Sequence, residues 1–588
     1  MMPVSSPTSM LAVVCLLAHR AVGSNAFNWS HIEPSWDLQY TPCYDGLQCA
    51  RLLLPLDWLN SSDGNNGTVA IAIAKLPAKV GADHDRYGGT VITNPGGPGD
   101  SGVVHMIKNG RYLQGMVDGN RHYDVLSFDP RGVFYSTPTA NCYEDEPDGN
   151  LAEWQMRGFG LLDGSKQQLR RRRAHATARG QRCAQADKGQ SSIREFMSTA
   201  SVARDMLAIV DKIEESRSAA LVKAPKSGHR DDAQRLELRS SVDMGAEARL
   251  QYFGTSYGTF LGNTFLSMFP GRVHRMVLDG LVVGEEYVDL EWSTNLADTA
   301  HVVDYFYQSC FEAGPFCPLW RAFDMSWTTI KSRVDKLVAD LDDNPRAIAN
   351  TDGPETVITG DEIRIAMMDP LYAPLDLFDG LATLLHDALQ GNYTLLLERT
   401  GITGSKKDAC SPVRSLEYSW MDQASMAVRC GDAKDVTDRD LTFWEAYAQK
   451  LKGLSPDIGG LWAEVPFACS GWQTRPKYRF DGPFESPRPD ETIRSGRPSA
   501  PLLLLSSLYD PVTPLRSAAK VARGHPGSRV LLQKSVGHCA FLSSPSECTK
   551  RYVRDYMETG RVPPEGTECE PDCAPWWPCP MDRAHLPR

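Results

Sequence analysis

Residues 250–265 read LQYFGTSYGTFLGNTF: a run of β-formers, Leu250–Phe253, meets a serine between two glycines, and helix-forming residues follow at once. Gly-x-Ser-x-Gly at a strand-to-helix junction is the sequence form of a nucleophile elbow, a sharp turn that lifts the serine hydroxyl above a parallel sheet. Ser256 then takes a strained backbone conformation, and side chains two residues before and after it would collide. Glycine at Gly254 and Gly258 removes that collision. The pattern also occurs in ordinary loops, so it constrains the fold only if the chain supplies a parallel sheet and two partners for the serine.

The flanking sequence supplies the sheet. "ARLLLPLDWLN" and "GTVAIAIAKLPA" read as strands joined by a polar turn, "GGTVITNPGGPGDSG" as a strand entering a glycine-rich loop, and "YDVLSFDPRGV" as a short buried strand. A helix, "STASVARDMLAIVDKI", comes next, then a hydrophilic stretch from Glu214 to Arg249 that reads as a surface loop. After the elbow and its helix comes the strand "RVHRMVLDGLVV". From residue 285 the pattern turns helical: "IKSRVDKLVADL" has helical periodicity, and Thr359 with Glu362 has capping-box spacing. A Pro-rich linker, "GPFESPRPDETIRSGRPSAP", leads back to strands in "PLLLLSS" and "RVLLQKSVGH". The expected fold is α/β, one core with a mostly parallel central sheet interrupted by a helical insertion. The expected core spans 27–284 and 491–588, and the cap with its linker spans 285–490. At 588 residues the chain exceeds what one core fills, in keeping with such an insertion.

The apolar run "MLAVVCLLA", Met10–Ala18, is too short to span a bilayer and is followed by small residues, "AVGSNA". It reads as a signal peptide over 1–26, cleaved after Gly23 or Ala26, and predicts a secreted protein without a stable membrane anchor. Of 15 cysteines, 14 follow Cys15 and could form up to seven disulfides in an oxidising compartment. Cys43 with Cys49 and Cys310 with Cys317 could close local loops. Zinc is disfavoured, because histidines do not accompany the cysteines at ligand spacing. Sequons at Asn28, Asn60, Asn66 and Asn392 agree with secretion. A net charge of −11 argues against nucleic acid as the main partner. The basic run Arg170–Arg173 reads as a solvated helix face.

A serine hydroxyl needs an adjacent base, itself oriented by a third group, and in an α/β hydrolase the chain order is Ser, Asp or Glu, His. Beyond the resumed sheet lie His525, His538 and His585. His538 is preferred because it follows a strand directly; His525 sits in a turn before one, and His585 is near the terminus. Asp510, ending "LLLLSSLYD", is the preferred acid, since its strand comes just before the one leading to His538. Asp279 in "MVLDG" is the rival. Acyl transfer also needs donors for the developing oxyanion. The "NPGGPG" loop, Asn94–Gly99, supplies Gly96 or Gly97, and the Tyr257 N–H supplies the other. The loop lacks the lysine and Ser/Thr of a phosphate loop. No metal or organic cofactor is required by this chemistry.

"NPGGPGDSG", "YDVLSFDPRGVFYSTP", "GTSYGTFLG", "RMVLDG", "YDPVTP", "VGHCAF" and the final "YMETGRVPPEGTECEPD" resemble the secreted tripeptidyl aminopeptidases of the proline iminopeptidase family. The resemblance covers most of the chain. It implies an α/β-hydrolase fold with a mostly parallel central sheet and an inserted helical cap, acting as a serine exopeptidase on peptides with a free N-terminus, with Ser256 as nucleophile, Asp510 as acid and His538 as base. The chain departs from the family at Asp100, where a glycine is usual, and in the hydrophilic stretch before the elbow. An aminopeptidase must hold an ammonium group. Asp432 in "VRCGDA" is the candidate anchor, because the family shows a similar Cys-x-Asp; the competing reading is a turn held by a disulfide. Two other functions stay open, a carboxylic-ester hydrolase using the same triad and a non-catalytic binding protein on a hydrolase scaffold. Epoxide hydrolases and dehalogenases are disfavoured, since they place Asp at the elbow.

Overall fold

The structure, a computed structural model, describes residues 27–60, 67–144, 146–186, 192–223, 247–349, 355–400, 421–487, 496–577 and 579. The signal-peptide reading, the sequon at Asn66, His585 and part of the Pro-rich linker lie outside these residues. Among the described residues one ten-stranded sheet forms the core. Its strands are β1 (Thr41–Cys43), β2 (Leu47–Pro55), β3 (Thr68–Leu76), β4 (Tyr87–Asn94), β5 (His122–Phe128), β6 (Leu250–Thr255) and β7 (Val273–Asp279). After a small separate hairpin, β8 (Arg346–Ile348) and β9 (Thr356–Ile358), come β10 (Leu503–Tyr509), β11 (Arg529–Val536) and β12 (Glu568–Cys569). The spatial order is β1-β2-β3-β5-β4-β6-β7-β10-β11-β12. Pairing is antiparallel from β1 to β5 and parallel from β5 to β12. This is the mostly parallel α/β-hydrolase sheet expected from the sequence.

All six residues of β6 are buried, as in a parallel strand covered on both faces. On one face pack helix α1 (Gly102–Val117) and the helix Glu547–Thr559, which bury Val103, Met106, Leu113, Tyr556 and Met557. The other face carries the larger core, including Phe260 and Phe265 of the helix following the elbow. The strand ends are in register: Asn94 pairs with Gly254, and Thr255 with Asp279. The loops after β4, β6, β7, β10 and β11 therefore emerge along one edge, where a parallel α/β sheet places its ligands.

Three further helices precede β6: α2 (Glu146–Arg157), α3 (Lys166–Gln185) and α4 (Thr199–Lys223). Helix α4 runs on through Glu214, with an Arg217–Glu214 ion pair at i,i+3. The expected loop thus begins no earlier than 224, and its remainder to 246 lies outside the described residues. Residues 214–223, EESRSAALVK, include two Glu, two Ala, one Leu, one Arg and one Lys, good helix formers despite the polarity of the stretch. The elbow helix is α5 (Tyr257–Met268), and between β7 and β10 the chain is mostly helical, including α6 (Met421–Asp432) and α7 (Gly459–Phe467). The Thr359–Glu362 capping box is formed.

Helices α2 and α3 fall within the span that the sequence assigns to the core, yet α3 packs against the inserted helices. A side chain at Gly180 would meet the Gly471 carbonyl oxygen, and one at Gly471 would meet that of Ala176. Arg172, within the basic run, is buried and ion-paired with Glu464 of α7 at 2.6 Å. The run is therefore only partly solvated. Disulfides Cys142–Cys183 and Cys430–Cys469 brace the same region, and Cys43–Cys49, Cys310–Cys317, Cys548–Cys569 and Cys573–Cys579 are also formed. Cys539 keeps a buried thiol. No helix among the described residues is long and apolar enough to cross a membrane.

A fully buried ion pair ties α4 to the loop after β5. Arg131 reaches Asp205 through Nε at 2.7 Å and Nη2 at 2.5 Å, and donates to the Leu56 carbonyl at 2.7 Å. Trp58 Nε1 also donates to Asp205 at 2.9 Å. Removing one partner strands a buried charge. Arg131→Met is expected to lower unfolding stability by about 3–5 kcal/mol in denaturant titration.

Candidate active site

The elbow is strained as the sequence implies: Ser256 has φ 55° and ψ −129°. Its N–H donates to the Asp279 carbonyl at 2.9 Å, pinning the turn to the end of β7. A Cβ on Gly258 would lie 2.4 Å from the Asn94 carbonyl oxygen, and one on Gly254 would lie 2.6 Å from that of Gly258. Both glycines are thus required by contacts to β4 and to each other.

His538 and Asp510 meet across the loops after β11 and β10. His538 Nδ1 lies 3.0 and 3.1 Å from the two Asp510 carboxylate oxygens. Asp510 also accepts from the N–H groups of Val512, Thr513 and Cys539, and from the Thr513 hydroxyl. Burial alone would raise the Asp510 carboxyl. The charge and hydrogen bond of His538, with the backbone donors, hold it below the ordinary carboxylate range. An ionised Asp510 fixes the imidazole proton on Nδ1 and leaves Nε2 with its lone pair. Nε2 is buried with no partner among the described residues. The His538 N–H donates to the Tyr372 carbonyl at 2.9 Å, and the Tyr372 ring packs edge-on against the imidazole at 4.8 Å.

The rivals fall elsewhere. Asp279 accepts the N–H groups of Ala540 and Phe541 at 2.8 and 2.7 Å, capping the short helix α8 (Ala540–Ser543) that follows His538. Burial pushes its carboxyl up to about 6. His525 is hydrogen-bonded to Ser486 at 2.9 Å, at the end of the helix Leu515–Gly524. Thr513 was not singled out by the sequence reading. Its hydroxyl donates to Asp510 at 2.8 Å and lies 3.1 Å from His538 Nδ1. Its signal is its place three residues after the acid in "YDPVTP", the spacing of a side-chain-to-backbone turn.

Of the two glycines in the loop after β4, the Gly96 N–H is engaged by the Asn94 side chain at 3.0 Å. A Cβ on Gly96 would lie 2.8 Å from Ser256 Cβ. The Gly97 N–H has no acceptor among the described residues, and Tyr257, the first residue of α5, has no intrahelical acceptor for its N–H. Gly97 and Tyr257 thus leave donors at the elbow, and Gly96 does not.

Ser256, His538 and Gly97 line one cavity of about 1700 Å³, larger than the roughly 300–1,000 Å³ of a drug-sized ligand site. Its far wall comes from α2, α3, α6 and α7. There Glu153 pairs with Arg179 at 3.2 Å, and Glu464 with Arg172. Asp422 of α6 also lines it, and burial together with Glu153 pushes its carboxyl up. Asp432 does not line this cavity. Its two oxygens accept the Thr199 N–H at 2.8 Å and the Thr199 hydroxyl at 2.6 Å, and it is buried. It therefore offers no carboxylate to a substrate amine; the Cys-x-Asp pattern marks the disulfide Cys430–Cys469 and a buried tie between α6 and α4.

Asp510, His538 and Cys539 also hold donor atoms within 4.8 Å of one another. The Asp510 oxygens and His538 Nδ1 are already engaged in the hydrogen bonds above, so a metal there would displace them. The arrangement can support acyl transfer: a serine hydroxyl and an imidazole oriented by a carboxylate line one cavity, and two N–H groups at the turn are unengaged among the described residues.

The fold and this site define an α/β hydrolase, and the chain is a serine hydrolase. Residues 455–569 match the family model described as TAP-like protein, so this portion carries a TAP-like domain. The chain is similar to the serine protease Hip1 of Mycobacterium tuberculosis, 26% identical over 584 residues and covering 95% of this chain and 96% of that one. It is 21% identical to the tripeptidyl aminopeptidase of Streptomyces lividans, covering 93% and 87%. It is 26% identical to carboxylesterase B of Mycobacterium tuberculosis, covering 89% and 86%.

Thr513→Val is expected to cost about 1.5–3 kcal/mol of barrier, roughly tenfold to hundredfold in kcat, in steady-state kinetics with KM little changed. Burial pushes Asp100 up to about 6, with Lys108 and His538 opposing. An acid whose folded pKa is raised binds its proton more tightly in the native state, so stability falls as pH rises from about 4 to about 6. Asp100→Asn should therefore be more stable than wild type above pH 6 and equal to it below pH 4 in thermal unfolding.

Proposed function

We propose that this chain is a secreted serine exopeptidase that releases single residues or short peptides from free N-termini. The observation that carries the reading is the buried Asp510–His538 pair facing the same cavity as the strained Ser256 turn. In the proposed cycle His538 Nε2 takes the Ser256 proton as Oγ attacks the scissile carbonyl. The N–H groups of Gly97 and Tyr257 stabilise the oxyanion, and Asp510 stabilises the imidazolium. His538 then protonates the leaving amine, and water, activated in the same way, hydrolyses the acyl-enzyme.

The substrate ammonium is assigned to Asp422 and Glu153 in place of Asp432. Both carboxyls line the cavity; Glu153 is already paired with Arg179, and Arg179, Arg429 and Arg157 also act on Asp422, so a substrate ammonium would share these carboxyls with the arginines. The relatives named serine protease and tripeptidyl aminopeptidase support a peptide substrate. Secretion is supported by six disulfides among the described residues and by the N-terminal apolar run. A second reading, a carboxylic-ester hydrolase with the same triad, is favoured by the relative named carboxylesterase B.

Free and N-acetylated di- and tripeptide anilides, assayed beside short-chain nitrophenyl esters, separate the two. Turnover confined to free-amine peptides, lost roughly a millionfold in Ser256→Ala, is the expected result. Asp422→Asn should then raise KM for those substrates about tenfold or more. Turnover of esters without peptides would sink the exopeptidase reading.

A further inference from the structure

Where the cavity lining is exposed to solvent it is aromatic. Phe316 and Trp577 line the same cavity as Ser256 and His538, yet they are 71% and 52% exposed. Their rings meet edge to face, with centroids 6.1 Å apart. Val357, another exposed apolar side chain, lines the cavity as well. Large apolar side chains left in water beside one another mark a surface that a ligand covers.

Each ring is carried by a short loop closed by a disulfide. Phe316 lies within the loop Cys310–Cys317, and Trp577 within the loop Cys573–Cys579. Trp576 also lines the cavity, and its Nε1 donates to Ser309 Oγ at 3.1 Å. Ser309 belongs to the helix Thr299–Ala313, which leads into the first loop, so the two loops are tied together. Loops fixed in this way give up little freedom when a ligand settles on them.

The pair comes from different elements than the Asp422–Glu153 wall, which belongs to α6 and α2. The loop Cys573–Cys579 is anchored instead to the segment that follows His538. Ser544 donates to the Cys573 carbonyl at 3.1 Å, and the Asp572 N–H to the Pro545 carbonyl at 2.8 Å. Leu542 of that segment lines the cavity too. An exopeptidase holds the ammonium inside and lets the rest of the peptide, whatever its length, run out past the exposed part of the lining. His538 delivers its proton to the departing amine, so the leaving segment belongs with the elements bound to His538.

We infer that Phe316 and Trp577 form a leaving-side subsite that covers an apolar side chain of the peptide, carried by one of the first few residues after the cleaved bond. The substrate class is then free-amine peptides with an apolar residue such as Phe or Leu in that segment, in preference to polar ones. This inference rests on the exopeptidase reading.

The test measures kcat/KM of the full chain for free-amine peptides that share one acyl part. Their leaving segments carry Phe or Ser at each of the first three positions in turn. A preference for Phe of about tenfold or more is expected at one position. Trp577→Ser and Phe316→Ser should each bring that ratio close to one, and Trp577→Phe, which keeps a ring, should preserve most of it. A folding defect lowers both peptides together, so the Phe-to-Ser ratio isolates the subsite. A wild type that cleaves all the peptides without preference, or variants that keep the preference, overturn the subsite alone. So does a preference that the variants change only when the apolar residue is moved into the acyl part. Sedimentation of wild type and variants covers the remaining occupant: a dimer lost in the variants with the preference unchanged makes the pair an interface between copies and rejects the subsite. A wild type that cleaves none of the peptides overturns the exopeptidase reading and the subsite with it.

Discussion

Three buried carboxylates knit together the edge of the sheet from which the site emerges. Asp129, after β5, accepts from Ser101 and from the N–H groups of Val103 and Tyr135, holding the start of α1. Asp279, ending β7, holds the start of α8, and Asp510, after β10, gathers its own turn and the residue after His538. Loops with few apolar side chains are fixed here by charge-assisted bonds to backbone N–H groups. Burial pushes the first two carboxyls up to about 6, yet Asp510 is held below its ordinary range. The difference is the imidazole: Asp510 alone of the three shares a direct hydrogen bond with His538. The same scaffold device has acquired a second use at one position.

The cavity is assembled from two separate excursions of the chain. One leaves between β5 and β6 and the other between β7 and β10, and they join at the Gly180–Gly471 contact and the Arg172–Glu464 pair. Their disulfides lie beside these junctions, which suits a wall assembled from helices with many charged residues. The acidic groups that line the cavity with Ser256 thus come from distant parts of the sequence.

What was legible in the sequence was local. The elbow, the glycines that permit it, and the order Ser256, Asp510, His538 follow from short-range sterics and chain order. The alternation of strand and helix gave the sheet. Two kinds of information were not local. The direction in which Asp432 faces depends on Thr199, and nothing in "VRCGDA" encodes that partner. The docking of α3 against α7 and the turn after it depends on two glycines far apart and on one arginine within a basic run that otherwise reads as solvated. Thr513 was within reach, because an aspartate followed by a threonine three residues later is a turn signal in its own right.

The back of the loop after β4 bears directly on α6. A Cβ on Gly99 would lie 2.9 Å from the Ser425 nitrogen and 3.0 Å from the Met421 carbonyl oxygen. The loop that carries Gly96 and Gly97 is therefore wedged between the elbow on one side and a helix of the insertion on the other. A side chain at residue 99 would meet α6 and would also be strained by the φ of 102° there. The cavity's floor and one of its helical walls thus share a close backbone contact at Gly99.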